Sequence, residues 1–237
     1  MKWSYGVTTV PGRREILLPR TLASLKNGGF DSPRLFVDGD IDGPSWARAF
    51  GLPATLREPA IRVAPAWALA LGELYLRDPA ADRYAVFQDD IITCHNLRDY
   101  LEACPYPDRG YLNLWTCPKN QAMAPAESAG WFLSNQKGKG ALALVFSREA
   151  AVTLLTHWHF VKRMQPSTEE PERHWQAVDG GIVEAFSQAG WREWCHNPSL
   201  VYHLGRRSTI PGKMNARLRV IFRGEDFDAR GFLAASR

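Results

Sequence analysis

The 237-residue chain reads as one α/β domain, a central mixed and mostly parallel sheet flanked by helices. Three observations predict this. Short runs rich in β-branched and aromatic residues alternate with stretches of helical character. The strongest run, Tyr84-Ala85-Val86-Phe87-Gln88-Asp89-Asp90-Ile91-Ile92, drives apolar residues straight into two adjacent carboxylates. The composition, 45% hydrophobic and 23% charged, is that of a globular protein long enough to bury a sizeable core.

Residues 2–10 form the first strand, ended by Pro11-Gly12. Thr8, Thr9 and Val10 close that strand, and Arg13 and Arg14 follow. In an open α/β sheet, ligands sit beyond the carboxyl ends of strands, so these residues are candidates for a nucleotide pocket. Either arginine could reach a diphosphate or stand solvated in a plain loop. A short helix spans 19–25 and stops at Asn27-Gly28-Gly29. The second strand, 33–38, ends at Asp38 in a Gly-Asp turn, which is either the rim of a donor pocket or only a turn. Residues 65–76 form a helix with Trp67, Leu69, Leu71, Leu74 and Leu76 available for packing.

The run at 84–92 is the central strand. Two acids at its end repel each other, and burial makes that worse unless a cation is present. A hard divalent ion with oxygen ligands would remove the cost. Asn96 is the expected cap of a helix starting at Leu97. Residues 110–115 form another strand, and 116–130 a loop. The runs 131–133 and 141–146 around Gln136-Lys137-Gly138-Lys139-Gly140 predict a hairpin or strand pair with an exposed basic tip. Ser147 caps the next helix. Residues 160–174 read as a loop, and 175–189 as a helix with Asp179-Gly180-Gly181 near its start. Two glycines there are costly without a reason, and close approach of a ligand is one such reason.

The net charge is +4, and the basic excess lies in the C-terminal stretch from residue 203 onward. Such a stretch suits a polyanionic partner or surface, or is a solvated tail. Nine Trp residues hint at ring stacking. The four cysteines lack metal-site spacing, which with the absence of a signal peptide or a membrane-length apolar run leads to the expectation of reduced thiols and a cytoplasmic location, in a bacterium or an infected host cell.

Four features stand in one order: Thr-Thr-Val-Pro at the first strand, Gln88-Asp89-Asp90, Val178-Asp179-Gly180-Gly181, and Pro198-Ser199-Leu200 running to His203, Gly205 and Ser208. Together they resemble the GT-A fold glycosyltransferases, with their Rossmann-like domain, and most of all the group related to N-acetylglucosaminyltransferase IV. The resemblance covers residues 3–209 and leaves 210–237 as a basic C-terminal segment packed on that domain or trailing from it. It implies a nucleotide-sugar donor, most readily a UDP-sugar, and Mn²⁺ or Mg²⁺ held by Asp90, with His203 completing the metal shell or contacting the diphosphate and a satisfied buried histidine as its plainer role. Thr8, Thr9, Val10, Arg13, Arg14, Asp38, Gln88 and Asp89 would line the donor side. Gln88 departs from the acid usual at its place in the Asp-x-Asp motif. Asp179 would be the general base, with a helix cap at Gly180 as its plainer role. A single displacement with one positioned carboxylate inverts the anomeric centre.

On the acceptor side stand Trp131, Lys137, Lys139, Gly180 and Gly181. The basic residues favour an anionic acceptor, and DNA bearing hydroxymethylated bases, as in some bacterial viruses, fits them. A bacterial surface polysaccharide or a lipid-linked saccharide is the alternative acceptor. A metal-dependent nucleotidyltransferase or phosphotransferase, and a non-catalytic nucleic-acid-binding module, are the readings from other classes. Oligomeric state is not legible.

Overall fold

In chain order, the elements begin with β1 (Trp3–Thr9), a single 3-10 turn at Pro11–Arg13, α1 (Leu17–Asn27), β2 (Arg34–Asp38), α2 (Gly43–Phe50), β3 (Ala54–Arg57), α3 (Val63–Arg77) and β4 (Arg83–Gln88). Next come β5 (Ile91–Thr93), α4 (Leu97–Ala103), β6 (Gly110–Asn113), α5 (Pro118–Gln121), β7 (Gly130–Leu133) and β8 (Ala143–Ser147). The last are α6 (Arg148–Thr156), α7 (Trp158–Met164), α8 (Val178–Gln188), β9 (Arg192–Asn197), β10 (Val201–His203) and α9 (Gly231–Ala235). This computed structural model describes residues 1–125, 129–164, 178–204 and 220–235.

The main sheet has the order β3-β2-β1-β4-β8-β6-β9-β7, and β5 pairs with β10 apart from it. β1 pairs in parallel with β2 and β4, β2 with β3, and β6 with β9. Only β8 and β7 run the other way. The α/β architecture with a mixed, mostly parallel sheet is therefore as the sequence predicts.

Helices cover both faces of the sheet, and β4 shows why its sequence is an unbroken apolar run. Ala85 and Phe87 join the core on one face with Leu18, Leu25, Leu97 and Leu101. Tyr84 and Val86 join the core on the other with Trp67, Leu71, Leu74 and Phe186. The segment 220–235 adds to the first core, where Ala229 and Phe232 are buried. Residues 210–219 of the basic C-terminal segment lie outside the described residues, as do Gly205 to Thr209. No helix of the described residues is long and apolar enough to cross a membrane. All four cysteines are free thiols.

Several local expectations are corrected. The run at 84–92 is not one strand: β4 stops at Gln88, and Asp89 and Asp90 form a turn into β5. The runs around Gly138 are two strands with exposed lysines between them, as one of the two expectations had it, but they form no hairpin. β7 lies at the sheet edge against β9, and β8 sits between β4 and β6, because each finds a longer-range partner. Leu69 and Leu76 are exposed, since only one stripe of α3 meets the sheet. Asn96 makes no side-chain cap; its backbone is left-handed and its amide group donates to Asp228. Residues 158–164 are helical where a loop was expected from 160, and α5 interrupts the loop at 116–130. Ser147 does cap α6, accepting from the Ala150 amide. Helix α2 and strands β3, β9 and β10 had no counterpart in the sequence reading.

His196, in β9, is fully buried. Its ring lies between the Tyr100 hydroxyl (2.6 Å from Nε2) and the Pro198 carbonyl (2.7 Å from Nδ1). Burial pushes its pKa down to about 4, against the Pro198 bond. A histidine with a depressed folded pKa binds its proton more readily in the unfolded chain. Stability is therefore expected to fall as pH drops from about 6.5 towards 4, by about 3 kcal/mol in all. Urea unfolding across that range checks this, and His196→Gln should flatten the slope.

Candidate active site

The carboxyl ends of the parallel strands gather the predicted residues along one edge. β4 delivers Asp89 and Asp90 there, both almost fully buried. β1 delivers Thr9, whose hydroxyl donates to Asp89 Oδ2 (2.6 Å). The 3-10 turn delivers Arg13, whose Nη1 donates to Asp89 Oδ1 (2.6 Å) and to Asp90 Oδ2 (2.5 Å). β10 delivers His203, whose Nε2 lies 3.0 Å from Asp90 Oδ2. The β5–β10 pair fixes that meeting, since His203 is registered with Ile91, one residue beyond Asp90. The amide of Leu204 donates to the Asp90 carbonyl as well (2.7 Å).

The cation that the sequence demanded for this acid pair is thus a side chain, Arg13. Burial pushes the Asp89 carboxyl up to about 6, against the opposing charge of Arg13. Burial acts on Asp90 in the same direction, but the hydrogen bonds and charges of His203 and Arg13 outweigh it and hold that carboxyl below the usual range. One atom is left over: Asp90 Oδ1 is buried and, among the described residues, has no hydrogen-bond partner. Among the described residues, no group of three or more His, Cys, Asp or Glu side chains is arranged to hold a metal ion.

Other candidates on the donor side are engaged in building the edge. Thr8 donates to the Phe87 carbonyl, and Val10 opens the 3-10 turn. Arg14 does not stand free towards a diphosphate: it bonds the Ser45 hydroxyl and carbonyl and lies over the Trp46 ring. Asp38 accepts the backbone amides of Ile61 and Arg62, both at 2.8 Å, and so holds the loop after β3.

Gln88 links the acid pair to the second cluster. Its side chain donates to the Ala141 carbonyl (3.1 Å), and its amide to the Leu142 carbonyl (2.7 Å). Asp179, in the first turn of α8, accepts the amides of Gly140 (2.7 Å) and Ala141 (2.9 Å). Its cap thus goes to the 140–141 backbone and not to Gly180. Among the described residues nothing lies within 4 Å of where a Gly180 side chain would project, and Gly181 is buried. Lys137 and Lys139 are exposed on the segment that Asp179 holds. Trp131 packs inward, stacked on Tyr100 and edge-on to His196.

The glycines of that segment are explained by close approach. A Cβ on Gly138 would come within 2.4 Å of the Asp179 carbonyl oxygen. One on Gly140, at φ +76°, would lie 2.0 Å from the Trp115 ring. Gly140→Ala is expected to cost about 2–4 kcal/mol, from left-handed backbone plus overpacking. Urea denaturation measures it, and a change under 1 kcal/mol would show that the ring yields freely.

The sequence reading missed Glu193. It is buried, accepts from Tyr111 and Asn113 (3.1 Å each) and from Ser134 (2.5 Å), and lines a narrow cleft with Asp179 and Lys139. Burial raises its pKa. Asn113 also donates to the Lys139 carbonyl, so this carboxylate helps to fix the basic segment. No signal pointed to it, because β9 itself went unread.

No protein-family model matches the sequence, and no curated protein does. Solved structures do. GalNAc-T7, determined with UDP, GalNAc and Mn²⁺, aligns over 99% of this chain and 48% of its own at 11% identity, with a TM-score of 0.58. The chain thus spans about half of that protein. The catalytic domain of Drosophila β1,4-galactosyltransferase 7 aligns over 91% of this chain and 76% of its own at 13% identity (TM-score 0.49). A nucleotidyl transferase from Methanothermobacter aligns over 82% and 86% at 12% identity (TM-score 0.49). At these identities the likeness concerns the fold, and the TM-score of 0.58 to GalNAc-T7 gives the chain a GT-A-like α/β fold.

Proposed function

We propose that the chain is a metal-dependent glycosyltransferase that moves a sugar from a nucleotide-sugar donor, a UDP-sugar, to an acceptor hydroxyl. The observation that supports it most is the acid pair at the carboxyl edge of a GT-A-like sheet, with Asp90 Oδ1 buried and unbonded. An unpaired buried carboxylate oxygen is costly, and a cation relieves it. Asp90 would hold Mn²⁺ or Mg²⁺ through that oxygen, together with His203 in the tautomer that turns Nε2 into an electron-pair donor. So few protein ligands suit a hard ion that completes its shell with substrate phosphates. When bound, it neutralises the charge that develops on the departing nucleoside diphosphate.

The chain's own residues supply the rest. Asp89, fixed by Thr9, faces the donor's ribose or sugar. Asp179 takes the proton of the acceptor hydroxyl; each of its oxygens keeps a lone pair beyond its one backbone bond. The open space at Gly180 admits the acceptor, and attack from that side inverts the anomeric centre. Gln88, joined to the Ala141 carbonyl, keeps the two carboxylate clusters in register.

Lys137 and Lys139 beside Asp179 favour an anionic acceptor, and we extend the proposal to DNA carrying hydroxymethylated bases. The test has two stages. Incubation with nucleotide sugars and Mn²⁺ should release nucleoside diphosphate; pyrophosphate instead would assign a nucleotidyltransferase, and no turnover a binding module. Labelled sugar should then pass to hydroxymethylated duplex DNA but not to unmodified DNA, and transfer should fall steeply as salt rises. Donor hydrolysis without DNA labelling would point to a saccharide acceptor.

A further inference from the structure

Arg13 is tied to the acid pair in a way that a plain loop arginine is not. Its side chain is 11% exposed, and one nitrogen, Nη1, serves both Asp89 and Asp90. Among the described residues, Nε and Nη2 make no hydrogen bond. Neither is among the buried side-chain atoms that lack a partner. A guanidinium has five N–H donors in a rigid fork, and most of this fork is unused.

The net charge of the site sets what it can bind. Two carboxylates and one guanidinium leave the site at −1. A divalent ion added beside Arg13 would take it to +1, with two cations competing for Asp90. A diphosphate arriving with that ion would reverse the excess. Ion and diphosphate are therefore each poorly accommodated alone and well accommodated together, provided that Arg13 can change partner. The side chain springs from a single turn, Pro11–Arg13, and among the described residues nothing lies within 4 Å of where a side chain at Gly12 would project.

We propose that Arg13 is the resident counter-ion of the acid pair and couples the two ligands. In the free chain it holds Asp89 and Asp90. When the donor binds, Arg13 releases Asp90 and turns its unused N–H groups to the diphosphate. This rests on the glycosyltransferase reading above. It adds that the two ligands are coupled through Arg13: Mn²⁺ alone binds weakly, UDP alone binds weakly, and each tightens the other. Reciprocity requires the same factor both ways.

The experiment is an electron paramagnetic resonance titration of Mn²⁺ into the full chain, with and without UDP. UDP binding is followed by calorimetry with and without Mn²⁺. The wild type should show at least about tenfold mutual tightening, the order of ordinary coupling energies. Arg13→Gln should bind Mn²⁺ alone at least about tenfold more tightly, since its competitor is gone, and lose a clear part of the coupling, with direct phosphate–metal contact keeping the rest. Arg13→Lys keeps the charge but cannot bridge both acids or fork onto a diphosphate, so it should keep weak Mn²⁺ binding and likewise show reduced coupling. It also serves if the glutamine variant does not fold. Wild-type coupling retained in either folded variant overturns the role of Arg13 alone. A wild type that binds neither Mn²⁺ nor UDP in any combination overturns the donor reading as well.

Discussion

Asp90→Asn is expected to reduce divalent-ion-dependent turnover by about 10²–10³-fold, the usual loss when one group stabilising transition-state charge is removed. The substitution keeps the side-chain shape and leaves an amide oxygen for Arg13 or His203. Its effect is to delete the charge on the atom pair that contains the unbonded Oδ1. The fold should persist, because the buried site then holds one carboxylate against one guanidinium and is electrically neutral. Release of nucleoside diphosphate across a Mn²⁺ titration is the measurement, with thermal unfolding as the control. An unchanged Mn²⁺ activation curve would remove Asp90 from the metal site.

Asp179→Asn carries the second large effect. The side chain now accepts the amides of both Gly140 and Ala141. An asparagine can accept only one of them and turns an N–H₂ group towards the other. A stability loss of about 1–3 kcal/mol is expected from that mismatch alone. If Asp179 is also the base, kcat should fall by a further 10²–10⁴-fold or so while donor affinity stays within a few-fold. Single-turnover transfer and calorimetric donor binding separate the two. Lost stability with the wild-type chemical step intact would leave Asp179 only the anchor of the 140–141 backbone.

Both residues were legible because their sequence context is extreme. Asp89 and Asp90 end a run buried on both faces of a sheet, and Asp179 precedes two glycines at a helix start. The class of fold followed from the same source. Residue periodicity records whether a segment is covered on one side or two, so β1, β2, β4, β6 and α3 could be read directly. Strand partnership is not recorded there. β7 and β8 look like neighbours across a short basic turn, yet each pairs with a strand far away in the chain.

What the amino-acid sequence determined by itself was the α/β architecture and the carboxylates placed at its edge. The tertiary structure alone decided what stands against those carboxylates. Arg13 is 76 residues from Asp89, and His203 is 113 from Asp90. Glu193 lies 59 residues from Ser134. Hydropathy and propensity describe a residue's surroundings on average, whereas the partner of a buried charge is one atom set by sheet order and register. That is why the sequence could require a cation beside Asp89 and Asp90, and only the folded chain could supply it as Arg13.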